Sequence, residues 1–534
     1  MGANPSLVTI IAHARSGALD YAWRLLRDAG LDRINDDPAV LSVVGRLLKD
    51  SALRAMGEER QRLYLEAAAA YARAGEISGA TYPLINAATL SLLAGRHEQA
   101  QTLARQALAQ SPTNMNEQET PYYCAATRAE ALLLLGDIAR AKAIFVEATS
   151  LAPRAFEDHA STLRQFTLIL DEIGEDKAWL EPCRPPRSLH YAGHMTMAAE
   201  DDAIGQLIRA VTKEERIGFG YGALAAGADI LIAEALLEEG AELHLLLPVA
   251  PALFREASVA PFGSGWATRF DHILESADSV RSTEIGSDPS SPLALQLAAE
   301  VAMGCAVMQA EVLMTEAVQL LIFDPNTSAV GEVGGSEWIG SAWEKTGRRQ
   351  RILAAPRVRA EADVYARADG SMASNCLAAM LRIEWSDAGT NLLSGEIIPR
   401  LAGVFASGPT PLITPRLTGE ALLVAFDTPA NAARAALSAL AALAGVADLH
   451  VAGHYGIAHR VDDPFGGAPL LLGQATALPG RVMLSTPPGA VHLTEDFAAT
   501  LYAGPALERP RIEYVGELPI ADADDPVRLY ALTR

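Results

Sequence analysis

Residues 1 to about 180 carry a helical pattern of hydrophobic and polar positions. Apolar residues recur three and four positions apart, as in QRLYLEAAAAYARAG at residues 61–75, and glycines or prolines end the runs. This spacing places apolar side chains on one face of an α-helix, so we expect a block built of helices alone. Two stretches within it echo each other 41 residues apart, LLAGRHEQAQTLARQALAQSP (92–112) and LLLGDIARAKAIFVEATSLAP (133–153).

The echoed stretches resemble degenerate tetratricopeptide repeats. Their period exceeds the roughly 34 residues of an ideal repeat, and TNMNEQETPYY, which lies between them, fits a lengthened turn. The resemblance implies tetratricopeptide-like helical repeats over residues 1–183, with a concave surface that binds a protein partner. The alternative is an α-solenoid that serves as a spacer and binds no ligand.

After the prolines of CRPPRS the pattern changes to strands that alternate with amphipathic helices. The predicted strands are SLHYAG, RIGFGYG, AELHLLLP, SVRSTEI, VQLLIFD and RQRILAAP, and a helix such as AAGADILIAEALLEEG lies between two of them. Short apolar strands separated by helices favour a parallel sheet covered by helices on its faces. We therefore expect an α/β domain with a Rossmann-like parallel sheet over residues 187–356.

Glycines cluster where two of these strands are expected to end. Gly218, Gly220 and Gly222 precede one predicted helix, and GGS, with Gly334, Gly335 and Ser336, precedes another. Glycine lets the backbone approach a phosphate closely, and a helix N-terminus adds partial positive charge. Because open α/β sheets bind ligands at the carboxyl ends of their strands, both clusters predict a nucleotide site at that edge.

This block resembles the SLOG superfamily, the Rossmann-like group that includes the Lonely Guy phosphoribohydrolases. The likeness rests on AGHM (Gly193, His194), on GYGALAAGADILIAEAL with Asp229 and Glu234, and on the GGS turn. It implies binding of a nucleotide or nucleotide derivative. Asp229 and Glu234 either contact a ribose or serve as buried helix acids, and His194 is either a ligand contact or a structural histidine. The Lonely Guy enzymes use an Arg and a Glu near the glycine turn; here Glu337 follows GGS, but no Arg precedes it closely.

The last block, residues 358–534, has an order of elements typical of a ferredoxin-like α+β domain. A strand, LAAMLRIEW, is followed by the helix NLLSGEIIPRLAGVFAS and by a hairpin, PLITPRLTGEALLVAF. The helix PANAARAALSALAALAG and the strand DLHVAGHYGIAHR come next, PGRVMLS is expected to be a strand, and YVGELPIADADDPVRLYAL a closing hairpin. The whole chain is thus predicted to be multidomain: an all-α repeat solenoid, an α/β sheet and an α+β domain.

This order and these segments resemble a class III nucleotide cyclase homology domain. The resemblance places Glu384 and Glu420 where such enzymes hold Mg²⁺ or Mn²⁺ with two aspartates. A carboxylate one methylene longer shifts its oxygen, which octahedral Mg²⁺ tolerates poorly. The alternative for both residues is a polar position at a strand end without metal.

Four further positions follow from the same resemblance. Arg416 and Asp463 stand at the base-selecting positions and favour adenine, with Asp462 as the alternative aspartate. Leu470 and Gln474 stand where an active enzyme has the ribose-positioning Asn and the transition-state Arg. Loss of one such group typically lowers the rate by about 10²–10³. The resemblance therefore implies a catalytically impaired domain that serves dimerisation or nucleotide binding, in a homodimer or larger homo-oligomer.

Charge and cysteine content narrow the function classes. The formal net charge of −22 disfavours nucleic acid as a partner. The 4 cysteines show no CxxC spacing, which disfavours a zinc site or a disulfide framework. No signal peptide or membrane span is expected, so we predict a cytoplasmic protein. Three functions stay open: a nucleotide-signalling regulator or sensor, an active adenylate cyclase, and a SLOG-type hydrolase of a nucleotide or NAD-like glycosidic bond.

Overall fold

The chain folds into two compact units in a computed structural model that describes residues 6–15, 17–110, 120–197, 202–283, 291–326, 335–357, 375–386, 394–418, 421–463, 467–505, 509–518 and 526–533. The helical unit spans Met1–Pro185 and Val312–Met314. The two-sheet unit spans Pro186–Glu311 and Thr315–Arg534.

The helical unit consists of antiparallel helices, as the sequence predicts. Its long helices are α1 (Leu7–Arg15), α2 (Leu19–Asp28), α3 (Pro38–Arg54), α4 (Gly57–Ser78), α5 (Thr81–Leu93), α6 (His97–Ala109), α7 (Pro121–Leu134), α8 (Ile138–Leu151) and α9 (Phe156–Ile173). Helices α5 and α6 pack as one hairpin and α7 and α8 as the next. The two echoed stretches occupy equivalent places, because each includes the end of the first helix and the whole second helix of its hairpin.

Local sequence sets the ends of these helices. The Asp37 carboxylate accepts hydrogen bonds from the first free amides of α3, and Pro38 occupies the first turn, where no amide donor is needed. At the other end of α4 and α9, Gly79 and Gly174 adopt the left-handed conformation that closes a helix. Alanine, leucine and tyrosine side chains from α3 to α9 then form one continuous core.

The first sheet of the two-sheet unit is fully parallel and has the six predicted strands. They are β1 (Arg187–Gly193), β2 (Ile217–Gly222), β3 (Glu242–Leu247), β4 (Ser279–Ser282), β5 (Ala317–Phe323) and β6 (Arg349–Ala354). The order across the sheet is β4-β3-β2-β1-β5-β6. This part of the fold prediction is confirmed.

Helices cover the parallel sheet and bury its apolar faces. They are α10 (Asp202–Glu214), α11 (Ala228–Glu238), α12 (Pro251–Ser258), α13 (Ser264–Ser276), α14 (Pro292–Val312) and α15 (Ser336–Glu344). Among the described helices, α14 is the one long and apolar enough to cross a bilayer, and 72% of that apolar window is buried inside the protein. Such burial is typical of a core helix.

The second sheet is mixed and has eight strands. They are β7 (Asn375–Ser386), β8 (Arg416–Thr418), β9 (Ala421–Phe426), β10 (Asp448–Val461), β11 (Leu470–Leu472), β12 (Val491–Thr494), β13 (Arg511–Leu518) and β14 (Val527–Thr533). The order is β13-β14-β12-β10-β7-β9-β8, with β11 paired to β10. Its helices are α16 (Ser394–Ser407), α17 (Pro429–Leu443), α18 (Leu478–Met483) and α19 (Glu495–Ala503).

One element prediction in this block is wrong. The segment PGRVMLS was expected to be a strand, but its first residues belong to helix α18, and the strand β12 comes only at Val491. Pro479 lies in the first turn of α18, where its missing amide costs nothing, whereas it would remove a ladder hydrogen bond inside a strand. Pro479, Val482 and Met483 are buried together at helical spacing.

Candidate functional site

The carboxyl edge of the parallel sheet has a switch point between β1 and β5. From β1 the sheet grows through β2, β3 and β4 on one side, and then through β5 and β6 on the other. Open α/β sheets bind ligands in the crevice at such a point, because the loops diverge there. His194 follows β1, Asp324 follows β5 and Arg357 lies just after β6.

His194 presents an unused hydrogen-bond acceptor at this edge. The side chain is 4% exposed, and its Nε2 lies 3.0 Å from the carbonyl oxygen of Ala355. Because a carbonyl only accepts, Nε2 carries the proton, and burial lowers the pKa of His194, so the ring is neutral. Nδ1 therefore keeps a lone pair, and within the described residues neither it nor the buried Oγ1 of Thr196 has a hydrogen-bond partner. A sugar hydroxyl, which both donates and accepts, matches this pair.

The N-terminus of α11 lies against the same loop. Gly227 precedes α11 with a φ of 82°, and a Cβ placed there would lie 2.6 Å from the carbonyl oxygen of Met195. The amide of Ala228 donates to the carbonyl oxygen of His194 over 3.2 Å. Only glycine permits this approach. The sequence reasoning missed Gly227, although GAD directly before an apolar helix was a usable signal.

Three charged groups act on His194. The Asp324 carboxylate accepts hydrogen bonds from the amides of Arg357 and Asn326, each 2.9 Å long, and these bonds lower its pKa. The Arg357 guanidinium lies 3.2 Å from the Glu337 carboxylate in the first turn of α15. Arg357 lowers the pKa of His194, whereas Asp324 and Glu337 raise it. All three groups therefore lie close to the histidine ring.

The predicted glycine turn at α15 is only partly within the described residues. Gly335 precedes α15 in an extended conformation, Ser336 is its first residue, and no side chain caps the helix. Gly334 lies outside the described residues. The uncapped N-terminus is compatible with an anion, but the nucleotide contact of these residues stays a prediction.

All three glycines of the first cluster lie within β2 rather than after it, and a Cβ at Gly218 would lie 2.5 Å from Pro186. A Cβ at Gly220 would lie 2.5 Å from Leu236 of α11, and one at Gly222 would lie 2.6 Å from the Tyr191 ring. Close packing thus accounts for all three glycines without a ligand. Glu234 also faces away from the edge, because it forms an ion pair with Arg269, with 2.6 Å between Oε1 and Nε.

Gly193 and Asp229 hold the loops of the edge in place. A Cβ at Gly193 would overlap Ala228, so the glycine lets the end of β1 approach α11. The Asp229 Oδ2 accepts from the amide of Ala225 over 3.1 Å. Burial raises the pKa of Asp229 to about 7, and the amides of Ala225 and Gly193 oppose that rise. The Asp229 Oδ1 is buried without a hydrogen-bond partner within the described residues, so both roles that the sequence left open for Asp229 stay predictions.

The mixed sheet brings Arg416 and Asp463 together. The Arg416 Nη2 lies 2.9 Å from the Asp463 Oδ2 and 3.3 Å from the carbonyl oxygen of Ala468. Gly467 lies so close that an added Cβ would contact both charged groups. The two predicted base-selecting residues are neighbours, but each is the other's partner. Base selection stays a prediction.

Glu384 is engaged by an arginine. It lies on β7, opposite His450 on β10 and Ala421 on β9, and its Oε1 is 2.6 Å from the Arg382 Nε. A guanidinium at that distance opposes the approach of a divalent cation. Within the described residues no group of His, Cys, Asp or Glu is arranged to hold a metal ion. Glu420 lies outside the described residues, and the metal site stays a prediction.

Leu470 and Gln474 lie on the approach to α18. Leu470 pairs with Val461 in the β10–β11 hairpin, and Gln474 opens a short 3-10 turn. The helix α18 follows, and a Cβ at Gly480 would lie 4.0 Å from Nη1 of Arg382. Arg481 is the next residue of α18. The sequence reasoning missed this arginine because it interpreted the segment as a strand.

Comparison with known proteins identifies one family over part of the chain. The family model Tetratricopeptide Repeats-Sensor (TPR-S) matches residues 8–91, which include α1 to α4 and most of α5. The match ends just before the two echoed stretches, residues 92–112 and 133–153, which continue the helical unit. No curated protein sequence matches the chain.

Three solved structures illustrate what about a third of the chain is similar to. The adenylyl cyclase CyaB from P. aeruginosa is 9% identical, with a TM-score of 0.26 and coverage of 30% of this chain and 95% of that chain. An adenylate cyclase from Trypanosoma brucei is 12% identical, with a TM-score of 0.25 and coverage of 31% and 91%. The guanylate cyclase domain of RhGC from Catenaria anguillulae, in complex with GTP, is 10% identical, with a TM-score of 0.25 and coverage of 30% and 98%. At these scores the likeness supports no inference about activity.

Proposed function

We propose that the protein is a nucleotide-signalling regulator or sensor that binds a nucleotide or nucleotide derivative at the carboxyl edge of the parallel sheet. The observation that carries the proposal is His194, a buried neutral histidine whose Nδ1 has no hydrogen-bond partner within the described residues. A buried acceptor left unpaired costs about 1–3 kcal/mol. A ligand hydroxyl or amino group at this point removes that cost.

The surrounding groups suggest how such a ligand is oriented. A phosphate does not suit the His194 end, because Nδ1 and the Asp324 carboxylate are both acceptors. The sugar or an exocyclic amine belongs there, and the phosphate belongs at the uncapped N-terminus of α15 near Arg357. The SLOG-like assignment made from AGHM and GGS is part of this proposal.

The other parts of the chain take regulatory roles in this proposal. The helical unit contacts a protein partner, in keeping with the sensor-type repeat family that matches residues 8–91. The mixed sheet, with its cyclase-like order of elements, serves dimerisation or nucleotide binding without efficient turnover. The pairing of Glu384 with Arg382 and of Asp463 with Arg416 supports a non-catalytic role, since both carboxylates are already neutralised.

Calorimetry of the full chain with ATP, GTP, NAD and ADP-ribose tests the ligand site. We expect binding of one of these probes, weakened at least about tenfold in His194→Phe because one buried hydrogen bond is lost. His272→Phe, the same change at an exposed position of α13, is the matched control. The proposal is wrong if none of the four probes binds the wild-type chain, or if both variants bind alike.

A second candidate is nucleotide cyclisation by the mixed sheet. It is favoured by α18, because a Cβ at Gly480 would lie 4.0 Å from Arg382, the partner of Glu384, and Arg481 follows Gly480 in the same helix. Mass spectrometry after separate incubations with ATP and with NAD, each with Mn²⁺, tests it. A cyclic nucleotide product that disappears in Glu384→Ala would establish turnover, whereas free base or ADP-ribose from NAD would place hydrolysis on the parallel sheet.

A further inference from the structure

The helical unit contains two oppositely charged groups that do not meet, and we call the surface between them the groove. Lys49 lies on α3 and Glu130 on α7. Lys49 is only partly exposed, yet within the described residues its ammonium makes no hydrogen bond or ion pair. Burial lowers the pKa of Lys49, while Glu130 and then Asp50 act in the opposite direction. Gly45, one turn before Lys49, packs on the Tyr71 ring, whose centroid lies 6.5 Å from that of Tyr82 on α5. This face of α3 therefore lies beside α5, with Lys49 and Glu130 near each other but not in contact.

Glu130 is fixed by its neighbours on one oxygen only. The hydroxyl of Thr89 on α5 donates to Oε1 over 2.6 Å, and the amide of Gln165 on α9 donates to the same atom over 3.3 Å. Within the described residues, Oε2 has no hydrogen-bond partner, and the protein does not enclose this atom completely. The Glu130 side chain is therefore held in one orientation with a free oxygen.

Corresponding faces of α5, α7 and α9 line this groove. Thr89, Glu130 and Gln165 each lie seven positions after Tyr82, Tyr123 and Asp158 respectively, which places each pair on one helix face. The Tyr123 hydroxyl donates to Asp158 over 2.7 Å and joins α7 to α9. Tyr82 and Tyr123 remain 54% and 37% exposed. Aromatic surface thus borders the polar centre.

The neighbouring arginines are already engaged. Arg46 lies 3.7 Å from Asp50 on the same helix, and the Arg164 guanidinium donates to the carbonyl oxygen of Val312, which fixes it without neutralising its charge. A polyanion would therefore meet the Lys49 and Arg164 charges together with the Glu130 carboxylate, which repels it. A ligand with one negative and one positive end instead matches Lys49 and Glu130 at once.

We propose that this groove binds a small zwitterion, an amino-acid-like molecule whose carboxylate contacts Lys49 and whose ammonium contacts Glu130. Its side chain lies against Tyr82 or Tyr123. The same chemistry is offered by a free amino acid and by a short peptide with both termini free. The site lies within the helical unit and does not depend on the nucleotide site of the parallel sheet.

Calorimetry of the full chain distinguishes the two sources. The probes are a set of the common L-amino acids, tested singly, and triglycine; each amino acid that binds is retested as its N-acetyl derivative and as its amide. We expect binding by at least one amino acid or by triglycine, with a loss of at least about tenfold when either charge of the ligand is blocked.

Two substitutions test the residues. Lys49→Met and Glu130→Gln keep the side-chain volume and should each weaken binding at least about tenfold, whereas Lys142→Met and Glu98→Gln, at exposed helix positions, should leave it unchanged. Circular dichroism shows that each variant is folded. The proposal is overturned if no amino acid and no triglycine binds, if the blocked derivatives bind equally well, or if both groove variants bind like the wild type.

A residue-specific label gives an independent readout. The chain has five lysines, Lys49, Lys142, Lys177, Lys213 and Lys345, so reductive methylation followed by peptide mass spectrometry reports on each. Bound ligand should protect Lys49 at least about threefold relative to Lys142, since a bound carboxylate engages the ammonium. Equal protection of all five lysines would contradict a site at Lys49.

Discussion

Arg416 and Asp463 are separated by 47 positions in the chain, and their charged groups meet at 2.9 Å. The pair joins the edge strand β8 to the segment that follows β10. Asp463 is 10% exposed, while Arg416 is 36% exposed. Water therefore reaches the Arg416 side chain and screens its charge, whereas the protein largely encloses the Asp463 carboxylate.

Removing one partner should cost more than removing both. Arg416→Met leaves an enclosed carboxylate without its cation, so we expect the free energy of unfolding to fall by roughly 1–2 kcal/mol, a modest loss because Arg416 is partly exposed. The double variant Arg416→Met/Asp463→Asn should recover part of that loss. Urea unfolding of the wild type, both single variants and the double variant measures the coupling. Additive losses would show that the pair contributes nothing.

Gly304 of α14 packs directly on the backbone of α19. A Cβ at this position would overlap the carbonyl group of Ala499. We expect Gly304→Ala to destabilise the two-sheet unit by about 1–3 kcal/mol, because the two helices must separate. Faster hydrogen exchange in α14 and α19 would locate the effect.

The matched control is Gly403→Ala on α16, where nothing lies within 4 Å of the added methyl group. Because Gly403 is an exposed glycine within a helix, the alanine variant should be more stable than the wild type by up to about 1 kcal/mol. Equal effects at the two positions would mean that packing between α14 and α19 does not set the result.

The parallel sheet was predictable in detail, because its short strand segments alternate with amphipathic helices and β2, β3 and β5 are mainly apolar runs. The helical unit was predictable for a similar reason. Local pattern failed at α18, because the helix has only 6 residues and so short a segment shows neither period clearly. It failed again for Gly220 and Gly222, because sequence does not distinguish a glycine that permits packing from one that approaches a ligand. The groove around Lys49 and Glu130 could not be predicted, because four separate helices supply its residues.

Buried histidines should make the two-sheet unit sensitive to acid. Burial lowers the pKa of His454 to about 4 and that of His190 to about 3, against an ordinary 6.5. The unfolded chain therefore binds these protons first, and stability is lost as the pH falls below 6.5. Each histidine should contribute up to about 1.4 kcal/mol per pH unit. Urea unfolding between pH 7 and 4.5 measures the slope.

His454→Asn is the informative variant for this slope. Asparagine can place a polar atom where the His454 Nδ1 lies, 2.8 Å from the Thr494 hydroxyl, but it does not titrate. Below pH 6.5 the free energy of unfolding should depend less steeply on pH, by the contribution of one histidine. The free energy of unfolding at pH 7 should change little. An unaltered slope would assign the acid sensitivity to other groups.

Glu130 should have the opposite pH dependence. Burial raises its pKa to about 7 from an ordinary 4.5, while Thr89 and Gln165 oppose the rise. A raised carboxyl pKa means that the contribution to stability is complete below pH 4.5 and is lost as the pH rises through 7, with a cost of roughly 3 kcal/mol at pH 8.

Glu130→Gln keeps both hydrogen bonds to Oε1 and removes the charge. We therefore expect thermal unfolding at pH 8 to shift upward in this variant, with no shift at pH 4.5 and none at either pH in the exposed control Glu98→Gln. A variant that is more stable but no longer binds a zwitterion would show that the charge is retained for the ligand at the expense of stability. A variant less stable than the wild type at pH 8 would contradict the raised pKa.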